Sequence, residues 1–91
     1  MITKAMLEKK VKRINEIMER PTTPYTKTEN GSFITNHGCV VLDYNPIYGG
    51  SMLMQMEEQG GQSNFGPIPY RLKNKDMNVY LDGIIFGLLS R

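Results

Sequence analysis

His37 and Cys39 are the only histidine and the only cysteine in the chain, so any imidazole or thiol chemistry must start there. A zinc site needs about four nitrogen, sulfur or oxygen ligands in tetrahedral array, and no further ligands join these two at metal-binding spacing. A nucleophile needs an adjacent base, and with one imidazole and one thiol the candidates are nearly exhausted. The ordinary reading, a turn histidine followed by a buried thiol, is preferred. Catalytic residues, metal ligands and cofactors are therefore all expected to be none, and the protein is expected not to be an enzyme.

Glycine pairs come next. Gly49-Gly50 and Gly60-Gly61 could admit a ligand close to the backbone, because glycine has no Cβ to keep it away. They do not form a phosphate loop, which requires glycines between a strand and a helix N-terminus. Turn geometry is the simpler account. Arg71, Lys73 and Lys75 lie before and at the start of a predicted helix, where backbone N–H groups also favour anions. Together with Tyr44, Tyr48 and Asn64, these residues make up the candidate surface for a ligand or partner. On the final helix, Gly83 and Gly87 are spaced one turn apart beside Phe86. Glycine costs a helix up to about 1 kcal/mol relative to Ala, so close packing must repay it, either within the chain or between subunits.

The elements that position these residues can be read from period and punctuation. Residues 3–20 read as a helix with Thr3 as N-cap, an apolar stripe of Leu7, Val11, Ile14 and Met18, and Ile17 beside it. Glu8–Lys12 and Glu16–Arg20 are i,i+4 pairs in the favourable order, and Pro21 ends the helix. Asn30-Gly31, between Tyr25–Glu29 and Ser32–Thr35, signals a hairpin with a type I′ turn. Its first arm reads either as a strand or as an irregular edge. Cys39–Tyr44 is the clearest strand.

After the Tyr48-Gly49-Gly50 turn, Met52, Met54 and Met56 alternate with Ser51, Leu53 and Gln55. That period of two favours a strand over 51–57, although the residue types would also suit a helix. Residues 59–70, with three glycines and two prolines, predict a long loop. A final helix starts near Asn74 as N-cap, with Asp76 in its first turn and a stripe of Met77, Leu81, Ile84 and Leu88. The fold class is α+β: helix, three or four antiparallel strands, helix, with both helices on one sheet face and residues 1–91 as a single domain. The expected core is the two stripes with Val41 and Leu53.

Composition sets limits on function. The chain has 91 residues, 40% of them hydrophobic and 22% charged, which suits a folded domain rather than a disordered one. A formal charge of +2 neither demands nucleic acid nor resembles an acidic nucleic-acid mimic. A single cysteine forms no intrachain disulfide, and no apolar leader precedes the first helix. The longest apolar run, Gly83–Leu89, is far short of the ~20 residues that span a bilayer. A cytoplasmic location without membrane contact is expected.

Two resemblances accompany this reading. Arg20-Pro21 closing a charged helix, Pro24-Tyr25, Tyr48-Gly49-Gly50, Gly60-Gly61, and Arg71 ahead of a helix with Leu81-Asp82-Gly83 resemble small uncharacterised proteins of phages and mobile elements of gut bacteria. Ser51 stands where an aromatic residue is usual in that pattern. This resemblance implies an accessory protein that occupies a host protein, including a defence protein, or sequesters a small-molecule ligand. The element order also resembles the double-stranded RNA-binding domain, with Lys73 and Lys75 in place of its lysine cluster, interrupted by Asn74 and Asp76. That implies an RNA-binding alternative by fold-level analogy. The diluted charge of the first helix favours the first class, and the Gly83–Phe86–Gly87 face predicts a homodimer or higher homo-oligomer.

Overall fold

The computed structural model describes residues 1–58 and 60–90. Gln59, expected to open the long loop, lies outside them. Helix α1 spans Lys4–Ile17, and the Thr3 side chain accepts a hydrogen bond from the Met6 N–H, as its N-cap position predicts. The helix stops short of the expected Arg20. Glu19 takes a left-handed conformation with φ 57°. The Arg20 N–H then donates to Asn15 O at 2.8 Å and the Glu19 N–H to Glu16 O at 3.2 Å. This is a Schellman ending, which closes the orphan carbonyls before Pro21 is reached. A non-glycine residue in that conformation costs about 1–2 kcal/mol. The new chain direction redirects Arg20. Its guanidinium donates to Gly38 O at 3.1 Å and Gln55 Oε1 at 3.2 Å, and lies 5.4 Å from the Phe65 ring centroid. The expected Glu16–Arg20 and Glu8–Lys12 pairs are not among the ion pairs of the described residues.

The strands form two antiparallel sheets rather than one. β1 (Tyr25–Lys27) pairs with β2 (Phe33–Thr35) as a separate hairpin, so the first arm is a strand. Its turn is not type I′. The Gly31 N–H donates to Thr28 O, the Thr28 N–H donates to Ser32 O, and only Gly31 has positive φ. A three-residue loop with a left-handed glycine accommodates the same Asn-Gly signal. β3 (Val40–Asn45), β4 (Gly50–Met56) and β5 (Gln62–Asn64) form a meander with β4 in the centre. The Met-rich segment is therefore a strand, and the predicted loop contains β5. Helix α2 spans Asn74–Leu89 with Asp76 in its first turn. Lys73, not Asn74, is its N-cap, and the Asn74 amide donates to Ile2 O at 3.0 Å, tying the two helix N-termini together.

Leu7, Val11 and Ile14 of α1, Val40, Leu53, and Met77 and Leu81 of α2 form one buried cluster. Leu42 sits opposite Leu53 in the register and also packs on this cluster, so both helices cover the Leu42–Leu53 face. Met18, Ile84 and Leu88 lie at its margin, partly buried. Val41 was expected in the core, but Val40 occupies that place and Val41 is half-buried on the other face. A one-residue change of phase exchanges the two faces of a strand, and apolar residues on both sides of this one left the phase open.

Asn15 fixes the phase. It is 1% exposed and lies on the buried side of α1. Its Oδ1 accepts from the Val40 N–H at 2.8 Å, and its Nδ2 donates to Val40 O at 2.9 Å. The side-chain amide thus acts as a one-residue strand, pairing both backbone groups on the outer edge of β3. Replacing Leu81 with Ala is expected to cost about 2–5 kcal/mol, as for a buried leucine. Asn15→Ala should cost a comparable ~2–4 kcal/mol despite its polarity, because two buried backbone groups lose their partners. Denaturant midpoints of the two variants test this. A loss below about 1 kcal/mol for Asn15→Ala would show that water replaces the amide.

Candidate functional site

The β3–β4 connection gathers most of the surface singled out in the sequence. A single 3₁₀ turn, Pro46–Tyr48, leads to Gly49 in a left-handed conformation with φ 98°. At Gly50, φ is 127°, and a Cβ there would lie 2.0 Å from Leu72 O. Only glycine fits, because the segment before α2 runs close beside it. That segment is held by paired backbone bonds, Ser51 N–H to Leu72 O at 2.9 Å and Leu72 N–H to Ser51 O at 2.8 Å.

Arg71 completes the brace. Its Nη1 donates to Asp43 O at 2.9 Å and Gly50 O at 3.1 Å, while its Nη2 meets Asp43 Oδ2 at 3.1 Å. The guanidinium, which the sequence placed on a candidate surface for a ligand or partner, is thereby engaged within the chain, holding both arms of the hairpin. The tip it supports presents Ile47 at 87% and Tyr48 at 73% exposure. Tyr44 lies apart from Tyr48. It is half-buried, with the Lys4 Nζ 5.5 Å from its ring centroid. Lys73 and Lys75 are exposed at the start of α2, close to the Gly50 end.

Gly60 and Gly61 belong to the β4–β5 turn, where the Glu57 N–H donates to Gly61 O and the Gly60 N–H to Glu57 O. The rest of β4, Ser51–Met56, stands between this turn and Gly50, a span of roughly 20 Å. Asn64 faces outward, paired in register with Met54 midway along β4. The structure therefore divides the candidate surface into two ends of one strand. The sequence held both the glycine signals and the strand between them, and the extended strand is what keeps its two ends apart.

The β4–β5 end also holds a group that sequence reading missed. The Ser63 hydroxyl donates to Glu57 Oε1, and His37 Nε2 lies 3.5 Å from Glu57 Oε2. The carboxylate stands between hydroxyl and imidazole, so the imidazole has no contact through which to take the hydroxyl proton. That order differs from an activated nucleophile, in which the base touches the hydroxyl. His37 is exposed in its turn and Cys39 is 1% exposed, so the two do not share a surface. Among the described residues, no group of three or more His, Cys, Asp or Glu side chains could hold a metal ion. Among them, too, no helix is long and apolar enough to cross a membrane.

On α2, Gly83 and Gly87 face open space, and an added Cβ at either would meet nothing within 4 Å. Close packing within the chain therefore does not account for them. Val79, Phe86 and Leu89 on the same helix are exposed at 64%, 75% and 59%.

Comparison with protein-family models, with curated proteins and with solved structures finds no match to this chain.

Burial pushes the Cys39 thiol above its ordinary value of 9.0, and burial likewise raises Tyr80 from 10.0. In the unfolded chain both groups ionise at their ordinary values, while in the folded chain they keep their protons. Above about pH 9 the unfolded state therefore binds fewer protons, and stability falls as pH rises. Urea midpoints are expected to be level between about pH 7 and pH 8 and to drop by pH 10. Cys39→Ser should flatten the earlier part of that drop. An unchanged slope in the variant would exclude the thiol as its source.

Proposed function

We propose that this protein is a non-enzymatic, cytoplasmic binding protein that acts by occupying a partner protein through the β3–β4 tip. The observation that carries the reading is the exposure of Ile47 and Tyr48 at the end of a hairpin braced by Arg71, Asp43 and the Leu72 backbone. Large side chains held out on a rigid mount lose little conformational freedom on binding, and aromatic anchors dominate interface energetics. Exposed Lys73 and Lys75 border the tip and would form a polar rim. The resemblance to small phage and mobile-element proteins supports a host protein as the partner, a defence protein among them. Sequestration of a small-molecule ligand has less support, because the glycine pairs lie at opposite ends of β4.

The RNA-binding reading draws on one feature, the tie between the two helix N-termini through Asn74 and Ile2, which brings Lys4 toward Lys73 and Lys75. The test compares the native protein with Ile47→Asp/Tyr48→Ala by capture from host lysate and by titration with duplex RNA. One host protein retained by the native chain and lost by the variant is expected, with circular dichroism unchanged. Sub-micromolar duplex binding with steep salt dependence would instead establish the RNA reading.

The reading extends to self-association through the outward face of α2, supported by its two uncovered glycines and by exposed Val79, Phe86 and Leu89. Light scattering at micromolar concentration should give a dimer mass, reduced to that of a monomer by Phe86→Asp. A monomer mass for the native chain would remove this part.

A further inference from the structure

The open edge of β3 offers a second binding surface. The Met56 N–H donates to Cys39 O, and in an antiparallel ladder the bonding direction alternates. The C=O of Cys39 and the backbone groups of residues 41, 43 and 45 therefore face β4, and those of Val40, Leu42 and Tyr44 face away from it. Asn15 takes both groups of Val40. Among the described residues nothing pairs with the outward N–H and C=O of Leu42 or Tyr44. An unpaired edge of this kind is a template for another strand.

A groove runs along that edge. Two adjoining cavities of about 350 and 360 Å³ share Glu8, Pro24, Val41 and Leu42 in their walls. One reaches Asn15 and Lys12, and the other reaches Lys4 and Tyr44. Helix α1 forms one wall and runs opposite to β3, since Asn15 meets Val40 and Lys4 meets Tyr44. Along this wall stand Lys12, Glu8 and Lys4, one helical turn apart and all exposed. None of the three is in an ion pair among the described residues.

The spacing of these charges matches a strand. Four helical residues advance about 6.0 Å, and two strand residues advance about 6.6 Å. A strand laid beside β3 would therefore bring every second side chain opposite one of these three charges in turn.

We propose that the β3 edge binds an extended segment of another protein that carries acidic, basic and acidic side chains at alternate positions. Its backbone pairs with Leu42 and Tyr44, and its charges face Lys12, Glu8 and Lys4. A second copy of this chain does not fit the same place. Its own β3 would present Leu42 and Tyr44 to this wall, without acidic groups, and its α1 would meet the α1 that already reaches over the edge to Val40.

The probe is a fluorescein-labelled Glu-Val-Lys-Val-Glu peptide, blocked at both ends, which reads the same in either strand direction. Fluorescence polarisation should show saturable binding with a Kd of about 100 μM, and amide exchange at Leu42 and Tyr44 should slow on binding. The charge-exchanged peptide, Lys-Val-Glu-Val-Lys, should bind about ten-fold more weakly, and Lys4→Glu/Glu8→Lys/Lys12→Glu should invert that preference. N-methylation of the outward-bonding peptide nitrogens should abolish binding without any change to the protein. Ile47→Asp/Tyr48→Ala should bind the peptide normally, which separates this surface from the hairpin tip. The proposal is overturned by no saturation below about 1 mM, by equal binding of both peptides, or by binding without protection of the Leu42 and Tyr44 amides. Protection of those amides in the free protein that grows with its concentration would also overturn it, because a second copy would then fill the edge.

Discussion

A single buried amide, Asn15, joins the first helix to the sheet, and much of the architecture depends on it. A polar side chain enclosed among leucines and valines is costly unless every bond it can make in that place is made. Asn15 meets the condition by pairing with both backbone groups of Val40. The pairing sets which face of β3 turns inward, how far along the strand the helix sits, and where the edge of the sheet is closed. Leu7, Val11 and Ile14 can then pack with Val40 and Leu53.

Closing the edge at Val40 leaves it open at Leu42 and Tyr44. A helix crosses a strand edge at a limited contact, and one side-chain amide can satisfy one residue's backbone. The remaining edge is bordered by α1 and by Pro24 and Tyr25 at the start of the separate β1–β2 hairpin. That geometry gives a narrow channel with polar backbone on its floor and charges on its wall, as strand addition requires. At the far end of β4, Arg71 does for the hairpin tip what Asn15 does for the edge. It spends its donors on Asp43 and Gly50 and leaves the neighbouring apolar side chains exposed. In both places an internal polar bond fixes the frame, and the free surface beside it is what a partner would meet.

Much of this was legible in the residues. The two apolar stripes gave both helices, Thr3 marked the start of the first, and the period of two placed the methionine-rich strand between glycine turns. Periodicity carries such information because helices and strands repeat their inward faces at fixed intervals. Gly50 could be seen as a turn, but its tight approach to Leu72 could not, because the two come together only when the segment before α2 pairs beside β4. The type I′ expectation at Asn30-Gly31 failed for a related reason, since the same dipeptide serves more than one loop length.

By itself, then, the sequence determined the α+β class, the placing of the strands between two helices and the inward stripes of those helices, all of which are local or periodic properties. Tertiary structure decided the phase of β3, the split into two sheets, and the uses of Asn15, Arg20 and Arg71. Each of those depends on a partner distant in the chain: Asn15 with Val40, Arg20 with Gln55, Arg71 with Asp43. An asparagine on a helix or an arginine before one has many uses that its neighbours in sequence do not distinguish. Which use applies is set by the backbone groups that folding brings within hydrogen-bond reach and by the cost of leaving those groups unpaired.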